Sequence, residues 1–122
     1  MGLEKRTGLE NSNKMTDNLL KIISFGDNDL IKLIISLSFN LKVKDEINKN
    51  ALYHFIDSNN DNDEIVEMLV KQGISLEDKD LFEGHTPLTL SAKKMMIKTL
   101  KALIQLGANV NHKVENNGKT KK

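Results

Sequence analysis

The sequence predicts an all-α solenoid, a short stack of helix–turn–helix units joined by β-hairpin loops. Three observations lead to that class. Ser38, Gly73 and Gly107 each follow an apolar-faced segment and lie 35 and 34 residues apart, so the chain repeats itself. Each unit holds two apolar segments too short to be stable alone, which must therefore pack on neighbours. The best-formed unit, 84–111, has a marked start and stop: Thr86 can cap, Pro87 sits at a first helical position, and Gly107 tolerates the left-handed conformation that often ends a helix.

Composition sets the outer bounds. At 122 residues the chain is at most one domain. A net charge of +1 gives no bulk attraction to nucleic acid or to a membrane surface. Cysteine is absent, so neither disulfides nor thiolate chemistry are possible. Aromatics are 4% with no Trp, so the core must rest on Leu, Ile, Val and Met. No apolar run approaches the roughly 20 residues of a membrane span, and Met1–Lys14 lacks the apolar centre of a signal peptide. Met1 and Gly2 open like a myristoylation site, but Arg6 stands where Ser or Thr is needed. Seventeen lysines against one arginine, with abundant Asn and Ile, read as the codon bias of an AT-rich genome.

In chain order, residues 1–15 are polar, lack an apolar period and are expected to be disordered. Residues 16–49 form a first, degenerate unit. Leu19, Leu20, Ile22 and Ile23 make one short helix, Gly26 and Asp27 break it, and Leu30, Ile31, Leu33, Ile34 and Leu37 make a second. Thr16 and Asp27 are the expected N-caps, and Asn18, Lys21 and Lys32 make the outer face polar, as in a capping repeat. A hairpin connector follows. The second unit, 50–83, runs through Ala51–Asp57 and Glu64–Val70, with an inter-helix turn about two residues longer than the third unit's plan, in which Asp61 or Asn62 caps the second helix. The third unit, 84–111, closes the array, and 112–122 looks like one more hairpin, with Asn117–Thr120 imitating the start of a fourth unit.

Thr86-Pro87-Leu88 and the Gly-Ala-Asn-Val-Asn of 107–111 resemble the ankyrin repeat, and the spacing from Gly84 to Gly107 fits that family's unit without a gap. Asn50-Ala51-Leu52-Tyr53 stands where Thr86-Pro87-Leu88-Thr89 stands one unit later. The resemblance covers about three units from Thr16 to Asn111 and implies an ankyrin-repeat solenoid. Tyr53 and Thr89 replace the family's usual His, which removes an imidazole hydrogen bond and puts local rigidity in question. The expected core is Leu19, Ile22, Ile23, Leu30, Leu33, Ile34, Leu52, Ile56, Ile65, Met68, Leu69, Leu88, Ala92, Leu100, Leu103 and Ile104. Met95 and Met96, in the turn of the third unit, are read as core packing.

Catalytic and ligand motifs are weak. His54, His85 and His112 share no metal-binding spacing and read as partly exposed polar residues. The run from Asp57 to Glu64 resembles a calcium loop, yet Asn62 and Met68 replace its Gly and bidentate Glu, so a solvated turn is preferred. Gly118-Lys119-Thr120 matches the end of a phosphate loop without its upstream Gly. No enzyme activity, metal or cofactor is expected.

Surface recognition is the stronger reading. In ankyrin proteins the hairpin tips and the exposed side of each first helix form a concave face that binds other proteins. The matching positions are Lys44, Glu46, Ile47 and Lys49, then Lys79, Leu81, Phe82, Glu83 and His85, with Tyr53 and Thr89 on the first helices. Lys113, Val114, Glu115, Asn116 and Lys119 follow in the third connection. Leu81 beside Phe82 has hot-spot character, against the alternative that Phe82 folds onto a neighbouring hairpin. The implied function is a non-catalytic, cytoplasmic module that binds another protein and neither nucleic acid nor membrane. The alternatives are an immunity- or inhibitor-type protein that covers an enzyme, or a host-interacting protein of an intracellular bacterium or large virus, delivered into the host cell. The third unit has no capping unit after it, so a partner, a second copy or further repeats are expected to cover its open side.

Overall fold

The computed structural model describes residues 14–114. Among these the regular elements are six helices: α1 (14–24), α2 (Asn28–Ser36), α3 (Ala51–Asp57), α4 (Asp63–Lys71), α5 (Pro87–Lys93) and α6 (Ile97–Gln105). Local chemistry accounts for most of their starts. Asp27 Oδ1 accepts from the Leu30 N–H at 3.1 Å, Asn50 Oδ1 from Tyr53 at 3.0 Å, and Asn62 Oδ1 from Ile65 at 3.1 Å. Thr86 and Thr89 form a reciprocal capping box with Pro87 inside it. The sixth helix has no side-chain cap of its own; Met96 stands at its cap position.

Backbone handedness repeats with the sequence. Ser38, Gly73 and Gly107 follow the second helices at φ of 63°, 92° and 102°. Gly26, Asn59 and Met95 mark the inter-helix turns at 73°, 66° and 59°. Of these, Met95 carries the bulkiest side chain in the left-handed region, a conformation that costs most residues about 1 kcal/mol or more.

The second helices stack as α2 on α4 on α6, and the first helices pack α3 on α5. The middle unit is the most buried: Ala51, Leu52, Phe55, Ile56, Ile65, Val66 and Leu69 are fully enclosed, because a unit lies on each side of it. Leu19, Leu20, Ile23, Ile31, Ile34, Leu88 and Leu103 extend the same core.

Several expectations need correction. Lys14 and Met15 are already helical, so Thr16 lies inside α1 and does not cap it. Leu33 and Ile104 are exposed at 51% and 47%, although apolar periodicity places them in the core. Ala92 is likewise exposed. Met96 is buried, whereas its neighbour Met95 points into solvent because the left-handed turn directs it outward. The connections are tight turns with little strand pairing: Lys44 and Asn50 form an isolated antiparallel bridge, and the Asp80 N–H donates to the His85 carbonyl at 3.1 Å. The rest of the N-terminal segment and residues 115–122, with Glu115, Asn116 and Lys119, lie outside the described residues.

Candidate partner-binding groove

The longer turn of the middle unit ties the stack together. Asn60 Nδ2 donates to the Gly26 carbonyl at 2.8 Å and to Asn28 Oδ1 at 2.7 Å, reaching the preceding unit. Asp61 reaches the following one: its carboxylate accepts from the Lys98 and Thr99 N–H groups at 3.1 and 2.7 Å, which supplies the cap that α6 lacks. Burial raises the Asp61 carboxyl, but the Thr99 and Lys98 N–H groups outweigh it and hold the group below its ordinary range. The calcium-loop resemblance is thereby explained, since Asp61 and Asn62 are both engaged as helix caps and Asp57 lies 3.5 Å from Lys49 Nζ. Among the described residues no group of His, Asp and Glu could hold a metal ion.

The hairpin between the second and third units is built on Asp80, which is buried at 4% exposure. One carboxylate oxygen accepts from the Phe82 and Glu83 N–H groups at 3.0 and 2.9 Å. The other accepts from the His85 N–H and the Tyr53 hydroxyl, both at 2.8 Å. Burial acts to raise the Asp80 carboxyl; the Glu83 N–H, the Tyr53 hydroxyl and the other two N–H groups win and bring it down to about 2. Burial, reinforced by the Asp80 carboxylate, pushes the Tyr53 hydroxyl well above the usual phenol range. Tyr53 therefore replaces the lost imidazole with a bond from α3 to the hairpin that leads into the next unit. Thr89 does the same locally, with its hydroxyl 3.0 Å from His85 Nδ1. Burial also depresses the His85 imidazole, although Glu83 Oε1 lies 3.4 Å from its Nε2.

Beside this hairpin runs a groove of about 340 Å³ along α3 and α5. It is lined by the buried Tyr53 and Leu90, by Lys49, Asp57, Lys93 and Lys94, and by Phe82 and Glu83 of the hairpin. Lys49 stands 5.2 Å over the Tyr53 ring, a cation–π distance. Asp57 is shared between Lys49 at 3.5 Å and Lys94 at 3.9 Å, while Lys93 meets Glu83 at 3.3 Å. Phe82 is 69% exposed and Leu81 68%, so Phe82 does not fold back onto a neighbouring hairpin.

Of the residues assigned to the concave face, Lys49, Tyr53, Phe82 and Glu83 come together in this groove. Lys44 and Glu46 border a separate depression with Thr16 and Asp17. Lys79, Leu81 and Lys113 surround the hairpin tip. Ile47 is half-buried, and its carbonyl accepts from the Leu81 N–H at 3.0 Å, joining successive hairpins. Tyr53 and His85 are buried, and with the half-buried Thr89 they form hydrogen bonds that support the hairpin. His85 was expected to be partly exposed; its bonds to the capping box explain why it is not. Asp80, Asp57, Leu90, Lys93 and Lys94 were missed. An Asp four residues before a turn Gly was the available signal for Asp80.

The model for ankyrin repeats in three copies matches residues 19–114. An ankyrin repeat protein of Acanthamoeba polyphaga mimivirus is 32% identical over 72 residues, covering 59% of this chain and 10% of the viral protein. A chain in the solved structure of a predatory endopeptidase from Bdellovibrio bacteriovorus in complex with an immunity protein superposes with a TM-score of 0.63 at 26% identity, over 76% of this chain and 47% of that one. The chain thus spans a tenth of its viral relative and about half of its structural neighbour. Among the described residues no helix is long and apolar enough to cross a membrane. With the family model matched over residues 19–114, most of its length, the chain belongs to the ankyrin repeat family, whose members are protein-interaction modules.

Proposed function

We propose that the protein is a non-catalytic binding module that holds a partner protein on its concave face, in the groove between α3, α5 and the Asp80 hairpin. The observation that carries this reading is Phe82. Its backbone is pinned by the buried Asp80 carboxylate while the residue stays 69% exposed, lining a groove with charged neighbours. A rigid backbone under an exposed aromatic lowers the entropy lost on binding and gives the ring the character of an anchor.

The test is affinity capture from the native cells with wild type and Phe82→Ala, identified by mass spectrometry. A protein retained by wild type and lost by the variant is expected, with melting temperatures alike within about 2 °C because the ring buries little. Equal retention by both proteins would remove Phe82 from the interface, and a large fall in melting temperature would make it structural.

A second reading has specific support. The likeness to a chain from an endopeptidase–immunity protein complex favours an inhibitor that covers an enzyme. Capture of a single hydrolase whose activity stoichiometric addition abolishes would select it. The viral relative supports a setting in which host proteins are the targets.

A further inference from the structure

Residues 33, 68 and 102 hold one repeat position, being 35 and 34 residues apart. Ala102 is buried, Met68 packs on the core, and Leu33, in the first of the described units, is 51% exposed. Residues 35, 70 and 104 hold another. Ile35 and Val70 pack on the core, and Ile104, in the last of the described units, is 47% exposed. Within the described residues, each column loses its cover at one end of the stack. Leu37 in the first described unit and Val110 in the last are also exposed, at 60% and 59%.

Charge follows the same register. Lys32 Nζ meets Glu64 Oε1 at 3.3 Å across the first inter-unit boundary. One repeat on, the corresponding residues are Glu67 and Lys98, again of opposite sign. A third step sets Lys101 of α6 against the position of Asp29 in α2 of a following copy, opposite once more. Both Lys101 and Asp29 are exposed.

We propose that this chain associates head to tail with a second copy, the α6 end of one molecule seated on the α2 end of the next in the register that continues the solenoid. Ile104 then takes the place that Val70 holds at the boundary between the second and third units, Leu33 takes that of Ala102 across it, and Lys101 pairs with Asp29. Such a contact uses different surfaces on its two sides, so it leaves one free end of each kind and grows with concentration.

The experiment is light scattering across protein concentration on the full chain, with Leu33→Glu and Ile104→Glu. Wild type is expected to gain mean mass with concentration without stopping at a dimer. Each variant alone is expected to remain monomeric, because one required surface is blocked in every molecule. An equimolar mixture of the two variants is expected to form a one-to-one dimer and nothing larger. Charge exchange gives an independent reading that needs no apolar substitution. Asp29→Lys or Lys101→Glu alone should weaken association about two- to fivefold, and the two together should restore it. A wild type that stays monomeric at every concentration overturns the proposal. So does a Leu33→Glu protein that still dimerises, which would mean that two α6 ends pair with each other.

Discussion

At the scale of single residues, Asp80 shows how one side chain converts local turn geometry into an inter-unit joint. Its carboxylate receives three N–H groups of its own hairpin, that of His85 already in the third unit, and the Tyr53 hydroxyl from α3 of the second. Its pKa of about 2 in the folded protein lies below the ordinary aspartate value near 3.9, so ionised Asp80 favours folding. That contribution is complete above about pH 4 and is lost as pH falls toward 2; its size is roughly 2 kcal/mol. Asp80→Asn should therefore be less stable than wild type at pH 7, with the gap narrowing between pH 4 and 2. Urea denaturation across that range measures it, and parallel stability curves for the two proteins would contradict the assignment. Tyr53 was legible as a departure from a family pattern, but its replacement bond was not, because the acceptor lies 27 residues away in sequence.

At the scale of elements, helix starts divide into those capped from within and one capped from outside. Asp27, Asn62 and Thr86 bond within three residues of themselves, so residue type and position were enough to identify them. The cap of α6 comes from Asp61, 37 residues before Lys98, and nothing local marks it. Met96, which holds the cap position, is instead buried as core. Asp61→Ala should cost about 1–2 kcal/mol, at the upper end for a cap because two first-turn N–H groups lose their acceptor. Asn62→Ala removes the ordinary cap of α4 and should cost about 1 kcal/mol. Chemical denaturation of the two variants compares them; an Asp61→Ala protein as stable as wild type would mean that solvent satisfies those N–H groups equally well. The same distinction explains the core. Periodicity finds an apolar face, but it cannot tell Leu33 from Met68, since they differ in whether a described unit packs on that side.

At the scale of the whole molecule, a stack of helix pairs has no single centre, and stability adds along its axis from unit and boundary contributions. The middle unit takes part in both boundaries, whereas each outer unit takes part in one. Its side chains are accordingly the most enclosed, and its turn reaches both ways through Asn60 and Asp61. Leu69 and Leu103 hold equivalent positions on α4 and α6, 34 residues apart, and both are fully buried, so truncating either to Ala should cost about 2–5 kcal/mol. Their consequences should nevertheless differ. Loss at Leu69 weakens both boundaries and lowers the protection of every helix. Loss at Leu103 weakens only the last boundary, so α5 and α6 should open below the free energy of global unfolding while α3 and α4 keep most of theirs. Native-state hydrogen exchange resolves the two cases amide by amide, at a protein concentration low enough to keep the chains separate. If Leu103→Ala lowered protection uniformly from α1 to α6, the three units would form one cooperative block, and the nearest-neighbour description of this short array would have to be abandoned.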